Sequence, residues 1–134
     1  AYEEVSRFSF AETVDRARQK LAEEGFGILC EIDVQATLKK KLGVDRAPYL
    51  ILGACHPPTA HQVLEAEPQV GVLLPCNVTV SEEGGQVIVR AMRPAGALAA
   101  LHRPDLAPAA QHVGELLQRV VSAACGSEGS RGSE

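Results

Sequence analysis

The sequence predicts an α+β protein, a two-layer sandwich with a mainly antiparallel sheet and helices packed on one face. Three observations carry this reading. Stretches with the two-residue alternation of strands intermix with stretches at helical spacing. Ser81-Glu82-Glu83-Gly84-Gly85 lies between two alternating runs, so a hairpin joins the last two strands. A chain of 134 residues can bury one adequate core without disulfides or metal. With no Trp and only three Phe and two Tyr, that core must be aliphatic. One domain is expected over residues 1–125, followed by a Gly/Ser/Glu-rich disordered tail over 126–134.

The elements follow in order. Tyr2 to Phe8 reads as a short first strand. Ser9-Phe10-Ala11-Glu12 is a capping box, in which the serine hydroxyl accepts from the third helical amide. Phe10, Val14, Ala17 and Leu21 follow at helical spacing, and Gly25 ends the helix. Phe26 to Val34 alternates as a strand. Phe26, Ile28, Cys30, Ile32 and Val34 are expected to face the core, with Leu29, Glu31 and Asp33 opposite. Gln35 to Leu42 reads as a helix stopped by Gly43. Tyr49 to Ala54 is an apolar interior strand. Pro57-Pro58 opens a helix over Thr59 to Glu67, because proline at the first helical position loses no hydrogen bond. Val70 to Val80 reads as a strand interrupted by Pro75, which lacks a ladder donor. Gln86 to Met92 pairs back through the hairpin. Pro94 to Leu101 reads as a short helix, and Leu106 to Ala124 as a final helix with the stripe Val113, Leu116, Leu117 and Val120.

Composition narrows the function classes. The formal net charge is −4, and no basic stripe interleaves with aromatics, which argues against nucleic acid as a partner. Lys39-Lys40-Lys41 reads as a solvated helix face. No segment is long and apolar enough to span a bilayer, and the first residues do not form a signal peptide. Four cysteines without Cys-x-x-Cys or zinc-finger spacing point to a reducing cytoplasm rather than a disulfide scaffold. The anchors of nucleotide hydrolases, dinucleotide-binding domains, zincins and lipases are absent from the sequence.

The sequence concentrates its chemistry in two motifs, Gly53-Ala54-Cys55-His56-Pro57-Pro58 and Leu74-Pro75-Cys76-Asn77-Val78. Each sets a thiol beside a proline and a second polar side chain. Taken with Glu31-Ile32-Asp33-Val34, Lys40-Lys41-Leu42-Gly43 and Pro48-Tyr49-Leu50-Ile51-Leu52, in that order, they resemble the bacterial and archaeal family known as domain of unknown function 302 (DUF302). The resemblance runs from about Phe10 to Pro94. This chain has His56 where the family usually shows Asn, and Arg93-Pro94 where the family tends toward Asp-Pro. The resemblance implies an α+β fold and a single site shared by both motifs; it implies no particular activity.

The leading expectation is a small-ligand-binding domain, assembled as a homodimer through the final helix and the Pro94–Leu101 segment. Its pocket is expected where Cys55 and His56 approach Cys76 and Asn77, with Glu31, Asp33 and Lys40 as polar lining. The sequence names no cofactor. A second reading is a thiol-dependent enzyme or redox protein. There, amides and the positive end of the helix after Pro57 hold Cys55 as a thiolate, and Cys76 resolves. A third is a metal site of Cys55, His61 and Cys76. Each residue also has a plain structural reading. Cys55 fits a tight turn and Cys76 a core position. Glu31 and Asp33, about 7 Å apart on one strand face, fit either an acid–base pair or a solvated surface. Cys30 reads as core, His61 as a surface residue, and Cys125 as an incidental, oxidisable thiol.

Overall fold

The computed structural model describes residues 1–127. The chain forms β1 (Tyr2–Val5), α1 (Phe10–Glu23), β2 (Gly27–Asp33), α2 (Val34–Leu42), β3 (Tyr49–Cys55) and α3 (Pro57–Ala66). A 3-10 segment (Pro68–Leu73), β4 (Cys76–Glu83), β5 (Gln86–Ala91), α4 (Pro94–Ala99), a second 3-10 turn (Pro104–Leu106) and α5 (Ala107–Cys125) complete it. The strands make one antiparallel sheet in the order β1-β5-β4-β3-β2. The fold is α+β, as the alternating and helical stretches predict.

Local chemistry explains most boundaries. Ser9 Oγ accepts from the Glu12 amide at 3.1 Å and starts α1. Gly25, at φ +89°, takes the left-handed conformation that a side chain would resist, and the chain turns into β2. Asp33 caps α2 by accepting from the Ala36 amide at 2.8 Å.

One face of the sheet packs on α1 and α5. Leu52, Ala54, Cys76, Val78, Val80, Val89 and Ala91 supply the sheet side of this core. Leu117, Val120 and Val121 of α5 meet them, each essentially inaccessible to solvent. Full burial of one such aliphatic side chain contributes roughly 1.5–3 kcal/mol. The whole predicted stripe of the final helix is therefore used within the chain, and α4 packs on α5 as well. Of the Pro94–Leu101 segment, Pro94 is buried, whereas Ala95, Gly96, Ala99 and Ala100 are exposed.

Two expectations change. The segment 70–74 is not strand. Its residues up to Leu73 belong to the 3-10 segment, in which Val70 is buried beside Val63, Leu106 and Ala109 in a second, smaller core cluster. Regular pairing begins only at Cys76, after Pro75, which has no amide to donate.

The faces of β2 also differ from simple alternation. Ile28 pairs with Ala54 but Cys30 pairs with Gly53, so Leu29 is an extra, bulged residue. Past the bulge, every side chain changes sides. Glu31 and Asp33 share the helix-covered side with Ile28, whereas Cys30 and Ile32 lie on the opposite face and are exposed. Cys30 is therefore not core. Its sulfur lies over Gly53, only 2.7 Å from where a β-carbon would stand.

The tail expected from Gly126 falls largely outside the described residues. Its first two residues are described. Gly126, at φ +85°, closes α5, and the Ser127 hydroxyl donates to the Glu4 carboxylate. Cys125, read as an incidental thiol, is buried. Burial pushes its pKa up to about 12.

Candidate functional site: a thiol-bearing cavity at one end of the sheet

Antiparallel pairing brings the end of β3, the start of β4 and the residue after β5 to the same end of the sheet. Ala54 pairs with Cys76, and Val78 with Ala91. The Met92 amide donates to the Asn77 carbonyl at 3.2 Å, which extends the β4–β5 contact past the last strand residue. Over this end lie α3, the 3-10 segment, α4 and the first turns of α5. Between them is an apolar cavity of about 50 Å³ whose lining includes Cys55, His56, Cys76 and Met92. Val63 and Val70 also line it.

Both motif cysteines are among the residues that line this cavity. Cys76 is buried and Cys55 half-buried. Burial first, and the neighbouring Cys55 second, push the Cys76 pKa up to about 11, so Cys76 is a neutral thiol at physiological pH.

The environment of Cys55 differs from the expected helix-terminus cradle. The first two helical positions of α3 are Pro57 and Pro58. Neither has an N–H, so two of the amides that would face an anion at a helix start are missing. The N-cap residue His56 makes no side-chain hydrogen bond to the helix backbone. Its Nδ1 instead lies 2.9 Å from Thr59 Oγ1. The residues that start this helix thus also remove two of the donors that a helix start offers a thiolate.

His56 lines the cavity while its ring sits between two others. The Phe26 centroid is 5.2 Å away and the His112 centroid 6.0 Å, in an edge-on arrangement. Burial first, and His112 second, hold His56 below the ordinary histidine pKa. Its Nε2 faces Gly25, where an added β-carbon would stand 3.4 Å away.

The remaining predicted residues lie elsewhere. Glu31 and Asp33 sit at the far end of β2; Asp33 pairs with Leu50, five residues of strand from Cys55, about 17 Å. They line a separate open groove beside α1. Each has a structural task. Arg18 grips Glu31 through Nε at 2.9 Å and Nη2 at 2.7 Å, and this hydrogen bonding lowers the Glu31 pKa. Asp33 caps α2. They do not form a proton-sharing carboxylate pair. Lys40 is exposed on α2 and lines neither cavity nor groove. Asn77 is exposed on the face opposite Cys76. His61 is exposed on α3 and absent from the lining, so the three-ligand set Cys55, His61 and Cys76 is not assembled. Among the described residues, no group of three or more His, Cys, Asp or Glu side chains is placed to hold a metal.

Met92 and His112 had no motif to mark them. Met92 has one distinguishing sequence feature, being the only methionine of the chain.

The model of the family described as "Domain of unknown function DUF302" matches residues 2–124. A solved structure described as an uncharacterized conserved protein DUF302 from Bacillus stearothermophilus is 30% identical to this chain. It superposes with a TM-score of 0.86, covering 92% of this chain and 96% of that one. No curated protein matches the sequence.

Proposed function

We propose that this chain, which belongs to the DUF302 family, binds a ligand of only a few heavy atoms in the cavity between the sheet end and α3–α5. The observation that carries the reading is the cavity itself: apolar, adjacent to the half-buried Cys55, and lined by both motif cysteines. Its size bounds the ligand. An apolar cavity of about 150 Å³ holds benzene or xenon, and this one has about a third of that volume. Its apolar lining offers little to satisfy the polar groups of a cofactor or a many-hydroxyl metabolite. All four cysteines are free, which supports a reducing compartment such as the cytoplasm. No helix among the described residues is long and apolar enough to cross a membrane.

The single methionine makes the test simple. Protein labelled with 13C at the methionine methyl gives one resonance, from Met92. Equilibration with xenon should shift it saturably. An unmoved resonance at several atmospheres of xenon would reject the cavity as a binding site.

The thiol-redox reading rests on the same juxtaposition of Cys55 and Cys76. The two prolines beneath Cys55 and the neutral, buried Cys76 favour binding over nucleophilic attack.

A further inference from the structure

We propose that this cavity is a proton-switched site, which holds a small apolar ligand while the His56 ring is neutral and releases it when that ring is protonated. The inference rests on the cavity reading above and names the regulation of that same site.

The geometry sets one titratable ring where α3, α5 and the cavity meet. His56 is half-buried and lines the cavity, as does Thr59, whose Oγ1 lies 2.9 Å from His56 Nδ1. The Phe26 ring centroid stands 5.2 Å from that of His56, and the His112 centroid, on α5, 6.0 Å. The charged groups on the surrounding elements are engaged elsewhere or exposed. Glu24, at the end of α1, pairs with Arg119 of α5 at 2.6 Å. Glu115 of α5 accepts from Gln111, and Glu67, which follows α3, holds Arg103. His61 and Glu65 are exposed on α3. The other titratable side chains of the lining are the thiols of Cys55 and Cys76. His112 is the group whose charge acts on His56, and its effect is repulsive.

The coupling follows from what each protonation state needs. A charged ring on an apolar wall depends on water for its solvation. An apolar ligand that fills the cavity displaces that water, which costs the charged ring much and the neutral ring little. The ligand therefore binds the neutral state more tightly, and by reciprocity it makes His56 harder to protonate. Burial and His112 already hold His56 below the ordinary histidine pKa, and filling the cavity moves it further in the same direction. The sign is fixed by that direction. Affinity is complete above the ordinary histidine pKa of about 6.5 and falls as the pH drops through the folded-state value. Each unit by which the ligand lowers the His56 pKa weakens binding about tenfold once the pH lies below both values. The proton comes from solvent and returns to it, and only an N–H bond is made or broken.

The test uses xenon as the ligand and the Met92 methyl resonance of the intact protein as its reporter. Xenon affinity should be weaker by about twofold or more at pH 5 than at pH 7.5, at a temperature where circular dichroism shows a folded chain at both. The His56 ring resonance should titrate at lower pH under saturating xenon than without it, a measurement that needs no variant. H56N should bind xenon equally at the two pH values. H112Q, which removes the repelling ring, should move the loss of affinity to higher pH. H61N, which alters an exposed ring outside the lining, should leave the profile of the parent unchanged. Equal xenon affinity at both pH values in the parent, or a His56 titration that xenon does not move, would overturn the switch and leave the cavity reading standing. A pH dependence that survives in H56N would overturn His56 as its origin. A Met92 resonance that xenon never moves would overturn both readings.

Discussion

Ala54→Val should stabilise the protein while abolishing its response to xenon. Ala54 is wholly buried at the end of β3 and lines the cavity. A closed void in a packed core costs about 24 cal/mol per Å³, so about 1.2 kcal/mol is the ceiling for a cavity of about 50 Å³ that opens partly to solvent. Two added methyl groups that enter the void recover most of this. Valine suits a strand better than alanine and incurs no backbone penalty there. The expected gain is about 1 kcal/mol, which raises the melting temperature by roughly 3 °C for a chain of this length. If no void were present, the same methyls would overpack the core and cost about 1–3 kcal/mol, so the sign of the change decides the question. The chain has no tryptophan, so urea unfolding is best followed by far-UV circular dichroism. An unchanged m-value with a higher midpoint, together with a silent Met92 resonance under xenon, is the expected result. Destabilisation by 1 kcal/mol or more, or a gain with the xenon response intact, would refute the reasoning.

Three further outcomes follow from the same geometry. In native protein at pH 8, iodoacetamide should modify exposed Cys30 first, half-buried Cys55 more slowly, and Cys76 and Cys125 last. With its pKa near 11, Cys76 has only about one thiolate in a thousand at that pH; peptide mapping that finds Cys76 labelled alongside Cys30 would reject the burial account. His56 has a folded-state pKa below its unfolded value of about 6.5, so the unfolded chain takes up the proton more readily. The stability that neutral His56 contributes is complete above about pH 6.5 and is lost as the pH falls below it. H56N should therefore show a flatter melting profile between pH 7.5 and 5 than the parent, and parallel profiles would exclude His56 as the cause. Asp33→Ala should cost about 1 kcal/mol through loss of the α2 cap, and Glu31→Gln less than about 1 kcal/mol because its pairing with Arg18 is solvent-screened. Thermal melts check both magnitudes, and a lost xenon response in either variant would return these carboxylates to the binding site.

The legible parts of this chain are those governed by local chemistry. Ser9, the spacing of Phe10, Val14, Ala17 and Leu21, and Gly25 specify α1 within a few residues of one another. The apolar run ending at Cys55 marks β3. The bulge at Leu29 was not legible, because Ile28, Cys30 and Ile32 make a convincing apolar face when no residue is skipped. Nor was the 3-10 segment. Val70, Val72, Leu73 and Leu74 fit a buried strand as well as a tight turn, and the packing of Val70 on α3 and α5 decides between them. The cavity depends on four helical segments closing over the sheet, a long-range event that places Met92 and His112 without any signature near them. Pro57-Pro58 carries two messages at once: it announces a helix and removes two of its anion-binding amides.

The bulged residue in β2 uncouples a residue's place in the chain from the face of the sheet it reaches. Deleting Leu29 would remove the bulge and leave every other residue of the strand opposite its present partner and on its present face. Taking Leu29 into regular register instead would turn Cys30 and Ile32 beneath α1 and Glu31 and Asp33 away from it, separating Arg18 from its partner and α2 from its cap. A one-residue deletion at the bulge is thus absorbed, whereas a one-residue slip in pairing is equivalent to several simultaneous substitutions. Related sequences must be compared in this stretch by the residues opposite them on β3, since counting along the chain alone would align an acid with a thiol.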